Sequence, residues 1–359
     1  MRMDFNLIPS AEPFQVSPII FLGLNIVLFL LHILAINIVV GGLLMLVYFR
    51  FFTKRKIDVY IEKLVKSLPI VFPLGINLGV AALLFLQVLY GQFFYTSSIL
   101  MAVYWISVIP ALLIGYYGLY VYSKGMHNRP ILSNFAISIS LVLILYILFN
   151  FVNNMTLMLR PEKWVEYFSN QKGTILNLSD PMLWPRIFHF LPASVATVSL
   201  FIVLLLIFGD GGSDPDKDKL SKFYLRIYAG GSVVQIITGI WFLFSVQDSV
   251  LHRLIGLDLA ATIFFVVGIL AGLGSTVSAF RGNIRPTIIQ FLITMACMVI
   301  TRHNLRSWYL GSYYNLFEQK LEPQVLPLVV FLIFFIGGIG VVIYMIKISF
   351  KVRPEGGAR

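Results

Sequence analysis

Nine long apolar stretches run through this 359-residue chain and constrain its fold more than any other feature. A helix needs about 20 apolar residues to cross the hydrocarbon core of a bilayer, and each stretch meets that length. Closed β-barrels would need short segments of alternating hydrophobicity, so the stretches predict helices. The spans are expected at about 18–49, 68–97, 99–122, 131–158, 185–208, 223–246, 257–280, 286–304 and 324–348.

The composition excludes a soluble protein. Apolar residues make up 58% of the chain, charged residues 12%, and the mean hydropathy is +0.88. We therefore predict an all-α integral membrane protein, organised as a single transmembrane domain over residues 1–359. No removable signal peptide is recognised at the N-terminus. The single Cys297 lies inside an apolar stretch and has no partner for a disulfide within the chain.

Lysine and arginine are distributed unevenly between the two ends of the spans. The connections that follow odd-numbered spans, together with the C-terminal tail, hold 18 of the 27. Positive residues accumulate on the cytoplasmic side of membrane proteins, so the N-terminus is expected outside and the C-terminus inside. The net charge of +11 is then a consequence of topology, and no nucleic-acid partner is expected.

Four of the five histidines are predicted at one depth, in the outer leaflet. His32 lies in the first span, His189 at the start of the fifth, His252 in the connection before the seventh, and His303 at the outer end of the eighth. An ionisable side chain inside lipid is costly and usually faces the bundle interior with a partner. For each histidine the alternative is a hydrogen-bonded interface residue, and this alternative is strongest for His252. His127 falls in an inner connection.

Several buried imidazoles in one layer of a helical bundle are typical of haem ligation, because neutral imidazole is a common axial ligand. Arginines near three of these histidines could neutralise the propionates of a b-type haem. They are Arg186 beside His189, Arg253 beside His252, and Arg302 and Arg306 beside His303. The alternative is that these arginines snorkel to the membrane surface. A zinc site is disfavoured, because no thiolate or carboxylate stands at ligand spacing.

Four segments, in this order, resemble subunit I of the cytochrome bd quinol oxidases, over roughly residues 18–315. LLHILAINIVVGGLLMLVYFRFF is similar to that family's first helix, which implies that His32 ligates a high-spin haem. PLGINLGVAALLFLQVLYGQFFY resembles a further helix. PRIFHFLPASVATVSLFI is similar to the helix that ligates the low-spin haem, here through His189. HNLRSWYLG resembles the E-x-G-R-Q-P-W motif, with Arg306 and Trp308 at its arginine and tryptophan. The resemblance implies the helical bundles of that subunit.

The chain departs from that family where oxygen and quinol chemistry takes place. Gln87 stands where the family has a glutamate beside the oxygen-reducing haem, and an amide cannot shuttle protons at ordinary pH. His303 replaces a glutamate at the second high-spin haem. The methionine ligand falls near Ile255, with His252 as the nearest replacement, and the long quinol loop is reduced to SVQDSVLHRLIG. Of 16 acidic residues only Asp258 falls within a predicted span, so a buried chain of proton carriers is not recognised.

These features predict a haem b-containing electron-transfer subunit of a respiratory complex in a bacterial or archaeal cytoplasmic membrane. Electrons would pass from membrane quinol to an outer-face redox partner such as a c-type cytochrome, within a hetero-oligomer. Pairing of His189 with His252, and of His32 with His303, would give two six-coordinate haem irons with no open coordination position. The resemblance, however, places the last two histidines at neighbouring haems, and three haems are also allowed.

Asp248 and His252 are candidate acceptors of quinol protons, because they are an adjacent acid and imidazole on the outer surface. The alternative is that both solvate the loop. Two other functions stay open for the chain as a whole. One is a terminal quinol oxidase that reduces oxygen, and the other is a haem-free structural or transport subunit.

Overall fold

The computed structural model describes residues 8–53, 59–208 and 216–351. Over these ranges the chain forms ten α-helices, nine of which are long and apolar enough to cross a membrane. They are α1 (Pro18–Phe51), α2 (Val59–Leu100), α3 (Ala102–Gly125), α4 (Pro130–Met158), α5 (Leu183–Phe208), α6 (Lys217–Phe244), the short α7 (Asp248–His252), α8 (Leu259–Phe280), α9 (Ile284–Leu310) and α10 (Val325–Lys351). The prediction of a nine-span, all-α membrane protein is confirmed.

Several predicted boundaries are wrong, because hydropathy reports contact with lipid and not the length of a helix. α2 begins at Val59 and α6 at Lys217, since charged first turns do not interrupt either helix. α9 continues to Leu310, so the stretch TRHNLRSWYL is helical. Asp258 lies just before α8, where its side chain accepts a hydrogen bond from Ala261 N at 3.1 Å as an N-cap. The first seven residues and part of the basic inner connections and tail lie outside the described residues.

The helices pack as two four-helix groups, α1–α4 and α5, α6, α8 and α9, which meet where α1 crosses α5. A Cβ atom at Gly41 would stand 2.0 Å from the backbone oxygen of Ser194. Only glycine therefore allows the two backbones to approach this closely. α10 is exposed along the described part of its length.

The outer ends of the helices, by the predicted orientation, are covered by the segment between α4 and α5. A 3₁₀ helix (Pro161–Phe168) begins this segment. Trp164 Nε1 donates a hydrogen bond to Leu157 O at 3.0 Å, and Lys163 Nζ to Asn177 Oδ1 at 2.7 Å. The first bond holds the segment against the end of α4, and the second joins its early part to its later part.

The apolar core is divided into an inner and an outer cluster, separated by what we call the intermediate level. Neither cluster includes residues of α1 between Leu22 and Ile36, of α2 between Ile76 and Leu83, of the entry to α5 between Met182 and Phe190, of α6 between Ala229 and Phe242, or of α9 between Phe291 and Leu305. Contacts of His32 with α2 and of Arg302 with α1 show that these neighbouring helices interrupt the core at a shared level. Three of the predicted histidines lie within the intermediate level: His32, His189 and His303.

Candidate functional site

The ring of His32 on α1 is held against α2 at the intermediate level. Its Nδ1 lies 2.8 Å from Gly75 O, and a Cβ atom at Gly79 would stand 2.5 Å from both Nδ1 and Cε1 of the ring. The Phe29 ring lies 6.1 Å from the imidazole and 4.3 Å from Arg302 Cζ. The first cradle is the name we give to five residues: Phe29, His32, Gly75, Gly79 and Arg302. It joins three helices, α1, α2 and α9.

The ring of His189 on α5 is held against α6 in the same manner. Its Nδ1 lies 3.1 Å from Gln235 O, and a Cβ atom at Gly239 would stand 3.0 Å from Cε1 and 3.2 Å from Nδ1. The Phe242 ring lies 6.3 Å from the imidazole and 5.4 Å from Arg186 Cζ. The second cradle is the name we give to five residues: Arg186, His189, Gln235, Gly239 and Phe242. It lies entirely within α5 and α6.

Both cradles leave the same imidazole nitrogen available. A backbone carbonyl can only accept a hydrogen bond, so the Nδ1 atoms of His32 and His189 must donate. A neutral imidazole that carries its proton on Nδ1 has its lone pair on Nε2. Second-partner hydrogen bonds of this kind orient histidine ligands toward metals. Both residues are therefore prepared to coordinate through Nε2.

His303 on α9 has a different environment. Its Nδ1 is buried and has no hydrogen-bond partner among the described residues. Arg302 and Arg306, on the same turn, are both close enough to act on its charge. A buried polar atom without a partner is costly. Because Arg302 also contacts Phe29 of the first cradle, the turn of α9 that carries His303 lies beside the first cradle.

Three arginines at or next to this level lie on aromatic rings and make no ion pair among the described residues. Arg186 lies on Phe242, Arg302 on Phe29, and Arg306 on Tyr90 at 5.6 Å. Asp180 acts electrostatically on Arg186 but does not form an ion pair with it. Arg306 is only 5% exposed. Arg186 and Arg306 both act electrostatically on Arg302. An unpaired charge removed from water is unfavourable, so this group of three arginines favours a bound anion.

A fourth arginine is balanced. Arg160 Nε lies 2.9 Å from Asp180 Oδ2, and both side chains are nearly inaccessible to solvent. The Arg160 guanidinium also lies 5.1 Å from the Tyr309 ring on α9. The ion pair therefore joins the two ends of the covering segment, and the contact with Tyr309 ties the segment to the helix that carries His303 and Arg306. Asp180 and Tyr309 are site neighbours that no sequence motif indicated.

The other predicted site residues lie outside the cradles. Gln87 is half-buried on α2, two turns beyond Gly79, and Trp308 packs against the outer cluster. Asp248, His252 and Arg253 are exposed, and His252 Nδ1 lies 2.6 Å from Asp248 O. Among the described residues the hydrogen bonds and ring contacts of His189 and His252 do not join the two side chains, so their pairing stays a prediction.

The histidines do not gather into one centre. In the described part of the chain, no three His, Cys, Asp or Glu side chains are grouped as a metal site would require. Two surface grooves, of about 570 and 220 Å³, lie elsewhere, one at Arg129–Phe135 and one between Thr96 and Phe168. The candidate site therefore consists of separate imidazoles at one depth.

The fold and this site define a multi-pass membrane protein of two helical bundles, with imidazoles and unpaired arginines at a common depth. No protein-family model matches the chain, and no curated protein sequence does. The structure is similar to that of the bd oxidase from Geobacillus thermodenitrificans, with a TM-score of 0.67 and 14% identity, over 95% of this chain and 100% of that one. The bd-oxidase-like fold is thereby confirmed. At this identity the similarity concerns the fold alone.

The residues present fit a b-type haem. Half-buried imidazoles that present Nε2 suit its iron, and arginines that make no ion pair suit its propionates. Gly79 and Gly239, which sequence reasoning missed, leave space beside the rings that a Cβ atom would fill. The GxxxG-like spacing of Gly75 and Gly79 was visible in the sequence, but nothing there linked it to His32.

Proposed function

We propose that the chain is a haem b-containing electron-transfer subunit of a respiratory complex in a bacterial or archaeal cytoplasmic membrane. The observation that carries this proposal is the intermediate level, where the two histidine cradles, with Arg186 and Arg302, interrupt the apolar core, and Arg306 lies one turn beyond Arg302. A purely structural membrane subunit would have no reason to collect such groups there, because each is costly away from water.

His32 and His189 would be the iron ligands of two separate haems, each through Nε2. Bound haem would supply one-electron oxidation and reduction. The backbone carbonyls of Gly75 and Gln235 keep the proton on Nδ1, so neither ring has to change tautomer to coordinate. His303 is proposed as a further ligand on the His32 side, because the contact of Arg302 with Phe29 places its turn beside the first cradle.

Arg186, Arg302 and Arg306 would neutralise propionate carboxylates. Guanidinium groups bind carboxylates through paired hydrogen bonds, and these three make no ion pair with a carboxylate of the described residues, although Asp180 acts electrostatically on Arg186. Their aromatic partners hold the guanidinium planes without satisfying the charge. The positive charge also favours a reduced, less positive iron.

Membrane quinol is the proposed electron donor, and an outer-face redox subunit such as a c-type cytochrome the acceptor. Asp248 and His252 could receive the protons that quinol releases, at a carboxylate oxygen and at Nε2 respectively. The bond from His252 Nδ1 to Asp248 O leaves that Nε2 free to accept a proton. Gln87 offers no such exchange, which favours electron transfer over oxygen reduction.

The proposal is tested by purifying the protein with its native partners and measuring haem by the pyridine haemochrome method. We expect haem b, with two or three groups per chain. His32→Ala and His189→Ala should each lower the haem content, while His127→Ala should leave it unchanged, because His127 is exposed near an inner connection and pairs with Glu62 at 3.6 Å. An intact protein without Soret absorbance would overturn the proposal and favour a haem-free subunit.

A further inference from the structure

The two cradles repeat one local design in the two halves of the chain. In each, the carbonyl that holds the imidazole lies four residues before the glycine beneath the ring, as Gly75 precedes Gly79 and Gln235 precedes Gly239. Four residues are about one helical turn, so carbonyl and glycine lie on the same face. Each histidine also projects from the helix that directly precedes the helix holding it.

The interface between the halves supports their equivalence. Gly41 follows His32 by nine residues, and Val198 follows His189 by nine. A Cβ atom at Gly41 would lie 2.0 Å from Ser194 O and 3.0 Å from Val198 Cγ1, so the matching position Val198 is one of the two residues that Gly41 meets where α1 crosses α5. Contact between equivalent positions is what a two-fold relation produces. The cradles therefore stand in corresponding places on either side of one helix crossing.

The glycines are required by geometry and not by backbone conformation, since both lie within regular helix. At position 79 a Cβ atom would overlap the His32 ring at 2.5 Å, well inside van der Waals contact. A methyl group there would displace the ring and disturb its bond to Gly75 O. At position 239 the approach is 3.0–3.2 Å, so a shift of a few tenths of an ångström would accommodate a methyl group.

We infer that Gly79 and Gly239 are positioning residues for two equivalent haem-iron sites, each setting where the imidazole of His32 or His189 presents its Nε2. This inference rests on the proposed function and adds the residues that shape each site. It also ranks them. A methyl group at position 79 must displace the imidazole further than a methyl group at position 239.

The test compares Gly79→Ala and Gly239→Ala with Gly23→Ala on α1 and Gly230→Ala on α6. The last two are matched controls, because a Cβ atom at either position would meet nothing within 4 Å. Haem content, reduced-minus-oxidised spectra and low-spin electron paramagnetic resonance are recorded in native membranes and after purification. Gly79→Ala should remove the haem signal that His32→Ala removes. Gly239→Ala should retain its haem but shift the signal that His189→Ala removes. Both controls should match the wild type.

The outcomes separate this inference from the proposed function. A wild-type protein without haem refutes the proposed function. A wild-type protein with haem, together with a Gly79→Ala spectrum identical to that of Gly230→Ala, refutes only the positioning role. If Gly79→Ala fails to assemble, Gly239→Ala decides the question, because its milder overlap disturbs the ring and not the fold. A spectrum unchanged in Gly239→Ala would then overturn the inference.

Discussion

The ion pair between Arg160 and Asp180 should be the main electrostatic attachment of the covering segment. Asp180 Oδ2 lies 2.9 Å from Arg160 Nε, and Asp180 Oδ1 accepts a hydrogen bond from Met182 N at 2.9 Å. The Asp180 side chain is 1% exposed and that of Arg160 9%. Asp180→Asn keeps the shape and the bond to Met182 N, but removes the negative charge that balances Arg160.

The expected decrease in the free energy of unfolding follows from these contacts. Removing one partner of a buried ion pair costs about 3–5 kcal/mol, and a hydrogen bond to a charged group contributes about 1.5–3 kcal/mol. Glu162 Oε1, 3.7 Å from Arg160 Nη1, is half-exposed and compensates little. The retained amide can still accept from Met182 N. We therefore expect Asp180→Asn to lower the free energy of unfolding by about 2–4 kcal/mol.

A double-mutant cycle with Arg160→Met measures the pair itself. Unfolding is followed in detergent by thermal denaturation and by proteolysis of the segment between α4 and α5. Asp218→Asn is the matched control, since Asp218 pairs with Lys222 at 2.7 Å on an exposed surface and should contribute little. A coupling energy below about 0.5 kcal/mol, or an effect equal to that of Asp218→Asn, would refute the reasoning.

Four further predictions concern the site, the helix crossing and the reaction with oxygen. His303→Ala should convert one haem to a high-spin form that binds carbon monoxide, whereas Arg306→Ala should keep it low-spin; unchanged low-spin signals in His303→Ala would show an interface histidine only. Arg306→Ala should leave a haem propionate without its positive partner. The lost interaction, about 1–3 kcal/mol, corresponds to roughly 40–130 mV for one electron, so a redox titration should show a midpoint potential lower by that amount. A rise in the midpoint potential would contradict this. Gly41→Ala should prevent assembly, since its Cβ atom would overlap Ser194 O, and normal expression and melting temperature would be inconsistent with the crossing. The isolated complex should not consume oxygen with quinol, and sustained cyanide-sensitive uptake would favour a terminal oxidase.

Hydropathy was sufficient to predict the nine spans, because the free-energy cost of placing a segment in lipid depends on the polarity of its own residues. It failed where polar residues stay inside the protein. Arg302 and His303 were placed at the end of a span, yet α9 continues to Leu310 around them. Hydropathy cannot distinguish a polar side chain that meets water from one that faces the bundle interior.

The sequence by itself determined the all-helical membrane fold and the depth of His32, His189 and His303, since both follow from position along a span. The tertiary structure alone decided what each imidazole contacts. The carbonyls that hold His32 and His189 lie 43 and 46 residues away in the chain, and Gly79 and Gly239 become meaningful only when neighbouring helices bring them under the rings. Periodicity reports the face of one helix, whereas a site between helices depends on their crossing and rotation, which packing sets.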